Sequence, residues 1–135
     1  MALTGEALLE DALFRHLSTL VTDPATTFAW PNLSHNGDVP RLEVDHAPNT
    51  TQSGTLEGAK NLQGFLAVTV VTAEGQGTLI GKDIATQVVN HFPGNLKIHT
   101  DDYVVRFNQP PSISQKIIDG AEVRFPVAIP YNAND

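Results

Sequence analysis

The segment 64–94 has the residue types and spacing that come nearest to a phosphate-binding loop. Its glycine hinge reads Gly75-Gln76-Gly77, and the helical pattern behind it opens Thr78-Leu79-Ile80-Gly81-Lys82-Asp83. A phosphate-binding loop needs Gly-x-x-x-x-Gly-Lys followed by Ser or Thr, because backbone amides and the lysine meet the phosphates while the hydroxyl holds magnesium. Here Gln76 occupies the first glycine position, and Asp83, a carboxylate ionised at pH 7, occupies the hydroxyl position. We therefore interpret the segment as a hinge between a strand and a helix.

Other patterns that could support chemistry are equally incomplete. The chain has no cysteine, which excludes thiol nucleophiles and cysteine-based metal sites, and it has no Gly-x-Ser-x-Gly nucleophile elbow. Imidazole and carboxylate groups can bind zinc, iron or manganese, but their spacing here matches no ligand pattern. The sequence therefore predicts no catalytic, cofactor or metal site. The histidines and aspartates that lie near one another in the sequence form two groups: His35, Asp38, Asp45 and His46, and His99, Asp101 and Asp102.

Length and composition predict one globular domain spanning residues 1–135. The chain is 41% hydrophobic and 17% charged, which is enough apolar content for one core. Its formal charge of −7, with the basic residues scattered, argues against tight binding to nucleic acid. No signal peptide or membrane-spanning run is apparent, so we expect a protein that is soluble where it is made.

Helical periodicity predicts two helices. The first extends from Thr4 to Thr22 and has an apolar stripe with Leu8 and Phe14 at its two margins. That width fits either a broad core helix or a margin buried by a neighbouring subunit. The second begins at Thr78 and ends at Phe92-Pro93-Gly94, with Gly81 on its buried stripe. A glycine there would let the helix lie close to a sheet.

Alternating patterns predict the strands. The run from Leu62 to Thr72 is apolar on both faces and is the best candidate for a central strand, with another strand at 41–47. A long polar loop at about 48–61 separates them. Further strands are predicted at 96–99, 103–108, 112–118 and 121–131, with Asp119-Gly120 as a hairpin signal.

Two prolines give the last strand a special character. Pro126 and Pro130 lie on the face opposite its apolar residues, and proline cannot donate a ladder hydrogen bond. We therefore predict an edge strand, or an edge over part of its length.

The order of these elements resembles that of the tail terminator and tail-completion proteins of long-tailed bacteriophages and related gene transfer agents. The resemblance covers most of the chain. The residues that carry it are Gly64-Phe65-Leu66-Ala67-Val68, Gly75-Gln76-Gly77, Ile84-Ala85, Phe92-Pro93-Gly94 and Val127-Ala128-Ile129-Pro130-Tyr131.

The resemblance implies a non-enzymatic virion protein that forms a ring, commonly a hexamer, on the last ring of the tail tube. Such a ring stops tube polymerisation and presents its other face to the head. Its partners would be its own copies, the tail tube protein and a head completion protein. It would lie at the head-proximal end of the tail, after synthesis in the host bacterial cytoplasm. DNA would pass through an acidic lumen without specific binding.

The predicted fold is α+β, with a mostly antiparallel, mixed sheet and both helices on one face. A ring needs a heterologous interface on every subunit, and the wide helix margin, the polar loop and the last strand could supply it. Two alternatives remain: a small α/β enzyme or ligand-binding domain with its site at the Gly75–Asp83 turn, or another head-to-tail joining protein. The candidate interface residues are Phe14, Asn49, Thr51, Leu56, Lys60, Pro126 and Pro130.

Overall fold

A computed structural model of the protein describes residues 5–31, 37–48, 61–75, 78–100, 103–107 and 109–134. The described residues form two helices and an eight-stranded mixed sheet. In chain order the elements are α1 Gly5–Ser18, β1 Thr27–Ala29, β2 Arg41–Pro48, β3 Asn61–Ala73, α2 Thr78–Asn90, β4 Lys97–His99, β5 Val104–Arg106, β6 Ser112–Ile113, β7 Ile117–Asp119 and β8 Glu122–Asn134.

The centre of the sheet is the antiparallel pair β3 and β8. They are matched over thirteen positions, from Asn61 opposite Asn134 to Ala73 opposite Glu122. The main strand order is β1-β2-β3-β8-β5-β4, with β6 and β7 also paired to β8. β1 runs parallel to β2, while the other pairings are antiparallel. The predicted central position of the strand around 62–72 is confirmed.

One face of this sheet carries the core, because side chains alternate between the two faces of a strand. On β3 the buried side chains include Leu66, Val68 and Val70, and their partners on β8 are Ile129, Val127 and Phe125. The buried residues of both helices belong to the same hydrophobic cluster, so both helices pack on this face. The predicted α+β fold is confirmed. The helical contribution is Leu9, Leu13, Leu17, Ile84, Ala85, Val88 and the following Phe92.

β8 is not an edge strand along its whole length, but among the described strands it lacks a partner on one side over part of its length, which is the second form of the expectation drawn from its prolines. Both of its sides are hydrogen-bonded, to β3 along one and to β7, β6 and β5 along the other. The carbonyl of Pro126 accepts a bond from Ser114 N at 2.8 Å, so the side of Pro126 without an N–H faces away from β3. Pro130, four residues on, has the same orientation. Both prolines fall where pairing on that second side is interrupted, at 125–126 and 129–131, so they remove no bond from the β3 ladder.

The short elements depart most from the predicted pattern. β1 was not predicted as a strand, and the single strand expected at 112–118 is divided into β6 and β7. α1 ends at Ser18, so Val21 lies beyond the helix and is 89% exposed instead of continuing the apolar stripe. The Asp119-Gly120 signal is correct, since β7 ends at Asp119 and Gly120 has φ +60°.

Gly81 allows α2 to lie directly on β8. A Cβ atom added at this buried position would overlap the ring of Phe125. Lys82 and Asp83, which follow it, are exposed, and Asp83 accepts a bond from Gln87 Nε2 at 3.0 Å. The packing role expected for Gly81 is confirmed.

The C-terminal ends of the two helices are joined by a reciprocal histidine pair. His16 Nε2–H donates to the carbonyl of His91 at 2.7 Å, and His91 Nε2–H donates to the carbonyl of His16 at 2.8 Å. The rings stack with their centroids 4.3 Å apart, next to the buried ring of Phe92. Burial lowers the pKa of His16 below its ordinary 6.5, and a charge on His91 lowers it further, although the hydrogen bond to the carbonyl opposes this.

The glycine contact predicts that Gly81→Ala destabilises the fold. The added methyl meets the Phe125 ring, and such overpacking costs about 1–3 kcal/mol, more than the helix propensity that alanine gains. Gly94→Ala is the matched control, because its added Cβ would meet only the carbonyl oxygen of Phe107 at an ordinary 3.9 Å. Chemical denaturation should separate the two variants, and equal stability would contradict the close-packing account.

The lowered pKa of His16 predicts a loss of stability as the pH falls below about 6.5. A depressed pKa means that the folded protein binds the proton less readily than the unfolded chain, so stability is full above 6.5 and is lost toward the lower folded pKa. His16→Gln keeps a side-chain N–H donor without titrating, so its melting temperature should change less between pH 7.5 and 5. His99→Gln, at an exposed position, should follow the wild-type profile. An unchanged slope in His16→Gln would contradict the assignment.

Candidate assembly surfaces

Phe14 belongs to an aromatic margin on the β1 side of the molecule, formed by Phe14, Phe28 and Trp30. The Phe14 and Trp30 ring centroids are 5.1 Å apart, and those of Phe28 and Trp30 are 5.0 Å apart in a stacked arrangement. All three side chains are half-buried and pack against the core. Phe14 of α1 is thus partly buried in the core and partly exposed, next to the outermost strand β1.

The other interface candidates from the sequence do not join this margin. Pro126 and Pro130 lie half-buried on the outer face of the sheet, the face opposite the helices, and Pro130 is paired with the 42% exposed Phe65. The remaining candidates lie outside the described residues. They are Asn49, Thr51, Leu56 and Lys60.

A second apolar surface, which the sequence reading missed, lies at the opposite edge of the sheet. Its members are Leu79 and Ile80 at the start of α2, Ile113 of β6 and Ile118 of β7, and we call it the isoleucine rim. They are 80%, 36%, 41% and 64% exposed, respectively. Large apolar side chains grouped at a surface mark contact sites more often than isolated ones do.

The register places two members of the isoleucine rim, Ile113 and Ile118, on one face of the sheet. Ile118 pairs with Val123 and Ile113 with Val127, and directly paired residues share a face, so both isoleucines lie on the helix side. Glu74 N bonds the carbonyl of Ala121 at 2.8 Å, which places the chain entering α2 beside the β7–β8 turn.

A groove with two basic residues runs along the isoleucine rim. It lies between α2 and the β6–β7 segment, with Phe125 at its base. Lys82 lines it from the helix and Lys116 from the strand segment. The residues Ser114, Gln115 and Thr86 complete its polar part. The charged residues that line this groove are both basic, in a chain whose net charge is −7.

A network of four charges bridges β2 and β8 on the outer face. Arg41 binds Glu122 through two contacts, of 2.8 and 3.0 Å, and also binds Glu43. Arg124 closes the network, with 2.6 Å to Glu43 and 3.2 Å to Glu122. The register places Val71 of the central strand between Arg41 and Arg124, so the network spans β3.

The arginines hold both carboxylates in their ionised form. Bonding to Arg41 lowers the pKa of Glu122. Burial alone would raise the pKa of Glu43, but the bonds from Arg124 and Arg41 outweigh it and lower that pKa. Each of the four charges has an opposite charge beside it, and the network links β2 to β8.

A carboxylate, an imidazole and a hydroxyl also lie in line beneath α1. His46 Nδ1 is 3.1 Å from Glu10 Oε1, and His46 Nε2 is hydrogen-bonded to the hydroxyl of Tyr131. These residue types match those of a catalytic relay, but a catalytic nucleophile must be accessible to its substrate. The side chain of His46 is 2% exposed and Tyr131 is 4% exposed, so the arrangement links α1 to β2 and β8. In the described part of the chain, no group of three or more histidines and carboxylates could hold a metal ion.

Comparison with known proteins gives these surfaces a context. A family model described as phage tail terminator protein matches residues 8–131. The chain belongs to this family. A solved structure, 24% identical, covers 96% of this chain and 96% of its own with a TM-score of 0.80, which supports the fold. No curated protein matches the sequence.

Membership of the phage tail terminator family makes the protein a structural component of a phage tail. The family is structural, not enzymatic, which agrees with the absence of a complete catalytic pattern in the sequence. Neither described helix has the length and hydropathy needed to cross a bilayer. The expected resemblance to terminators is confirmed.

The charge network predicts how acid acts on the fold. Arg41→Met removes one of the two arginines that lower both glutamate pKa values, so it should reduce stability at neutral pH. The deficit should shrink as the pH falls below the ordinary glutamate value of 4.5, because protonation ends the advantage in the wild type as well.

Arg15→Met is the matched control for the network. Arg15 is 79% exposed and pairs only with Asp11 in the contacts described, so its loss should change stability little at any pH. Thermal melts from pH 7 to 3 measure both variants. Equal effects of the two substitutions would contradict a structural role for the network.

Proposed function

We propose that this protein is the tail terminator itself: a ring, hexameric by family resemblance, that caps the tail tube and stops its polymerisation. The observation that carries the proposal is the match to the terminator family over residues 8–131. The other face of the ring receives the head, so its partners are its own copies, the tail tube protein and a head completion protein. In this proposal the protein lies at the head-proximal end of the tail.

The surfaces of the subunit support assembly. Closed rings use heterologous contacts, in which one surface of a subunit meets a different surface of the next. The aromatic margin and the isoleucine rim are two such different apolar surfaces at opposite edges of the sheet. In a monomer the grouped isoleucines at this edge stay exposed to water, whereas contact with a neighbouring subunit would bury them.

The acidic charge is compatible with DNA passage. A lumen that bound phosphates would slow the genome, whereas carboxylates repel it and leave it free to move. The net charge of −7 provides carboxylates for such a lining. The ring therefore conducts DNA without binding it specifically.

A second candidate is another head-to-tail joining protein of the same fold. It shares the ring and the location but not the control of tube length. Absence of a terminator gives tubes of variable, excessive length, while absence of a joining protein gives tubes of normal length that lack heads. Particles of a phage or gene transfer agent can carry either protein.

The test combines the size of the assembly with the length of the tubes. Negative-stain microscopy and native mass measurement should show rings of about six copies, alone or on tail tubes. Particles produced without the protein should have overlong tubes, and adding it back should restore one length. A strict monomer that neither docks on tubes nor changes their length would falsify the proposal. Normal tubes without heads would favour the joining protein instead.

A further inference from the structure

The two apolar surfaces differ in chemistry and in position. The aromatic margin and the isoleucine rim both lie on the helix side of the sheet, but at opposite edges. Four strand spacings separate β1 from β7, which is about 19 Å at the usual distance between strands. One subunit can therefore present both surfaces to two different neighbours.

Their charges are complementary. Lys82 and Lys116 border the isoleucine rim. Glu10 lies one helical turn before Phe14 on α1; one of its oxygens is 3.1 Å from His46 Nδ1, and its side chain is still 46% exposed. Because each copy carries −7, contact between copies is opposed by net repulsion, and a contact that brings lysines toward a carboxylate reduces it.

From this pattern we propose that the isoleucine rim of one copy packs against the aromatic margin of the next copy, head to tail. This inference rests on the proposed ring. The occupant of each surface is a second copy of this chain, and repetition of one contact closes the ring. A rim-to-rim contact would instead place the lysines of two copies together, which disfavours a symmetric dimer through this edge.

The absence of cysteine allows a direct test by cross-linking. In the double variant F14C/I118C, a short bismaleimide should join copies into a ladder ending at the ring size, seen on denaturing gels. The single variants F14C and I118C should give no ladder. The control V21C/I118C should give none either, because Val21 is 89% exposed and belongs to neither surface.

A second set of variants guards against misfolding, since Phe14 is half-buried. I118D changes a side chain that is 64% exposed, so its monomer should melt like the wild type. Burying the new carboxylate at the contact should raise the concentration needed for half-assembly by at least about tenfold. V21D, the matched control at an exposed position, should assemble normally, and K116E should fall between the two.

The outcomes separate the contact from the function. Rings that form and control tube length, yet give no F14C/I118C ladder and survive I118D, would overturn the head-to-tail contact and leave the terminator role intact. Strong dimers of I118C alone would also overturn it. A wild-type protein that stays monomeric even with tail tubes would overturn the terminator role and the contact together.

Discussion

The pairing of β3 with β8 is the constraint on which the remaining structure depends. Thirteen matched positions bind two strands that are far apart in sequence, and the register decides which side chains enter the core. A slip of one residue would exchange the buried Leu66, Val68 and Val70 for Phe65, Ala67 and Thr69. The same register sets Phe125 under α2, so the site of closest helix contact also depends on it.

The prolines of β8 give the two sides of this strand different roles. Their missing donors face away from β3, so the ladder with β3 is complete, while the second side is divided among three short strands. Short, interrupted strands make a poor template for uncontrolled pairing with other sheets. They also leave isoleucines of β6 and β7 at the surface.

The sequence was most informative where periodicity is long. β3 has enough alternations and α2 enough helical turns to be recognised, and the residue pair Asp119-Gly120 is typical of a hairpin turn. β1 has only three residues, too few for a pattern, and the Arg41–Glu122 contact joins residues 81 positions apart, which no local rule can find. In the adjacent Ile117-Ile118 pair, alternation shows only that one residue faces away from the core, which is Ile117; no local pattern shows that Ile118, on the helix side, is also 64% exposed.

The prolines of β8 show how a strand in the interior of a sheet can be an edge over part of its length. A proline excludes one hydrogen bond on one side of a strand, whereas an edge strand lacks a whole partner. Placing Pro126 and Pro130 four residues apart keeps both exclusions on the same side, away from β3. The strand can therefore be central in the sheet and still deny its neighbours a continuous ladder. An unbroken edge would allow pairing at several registers, whereas the short strands beside β8 limit where another strand can pair.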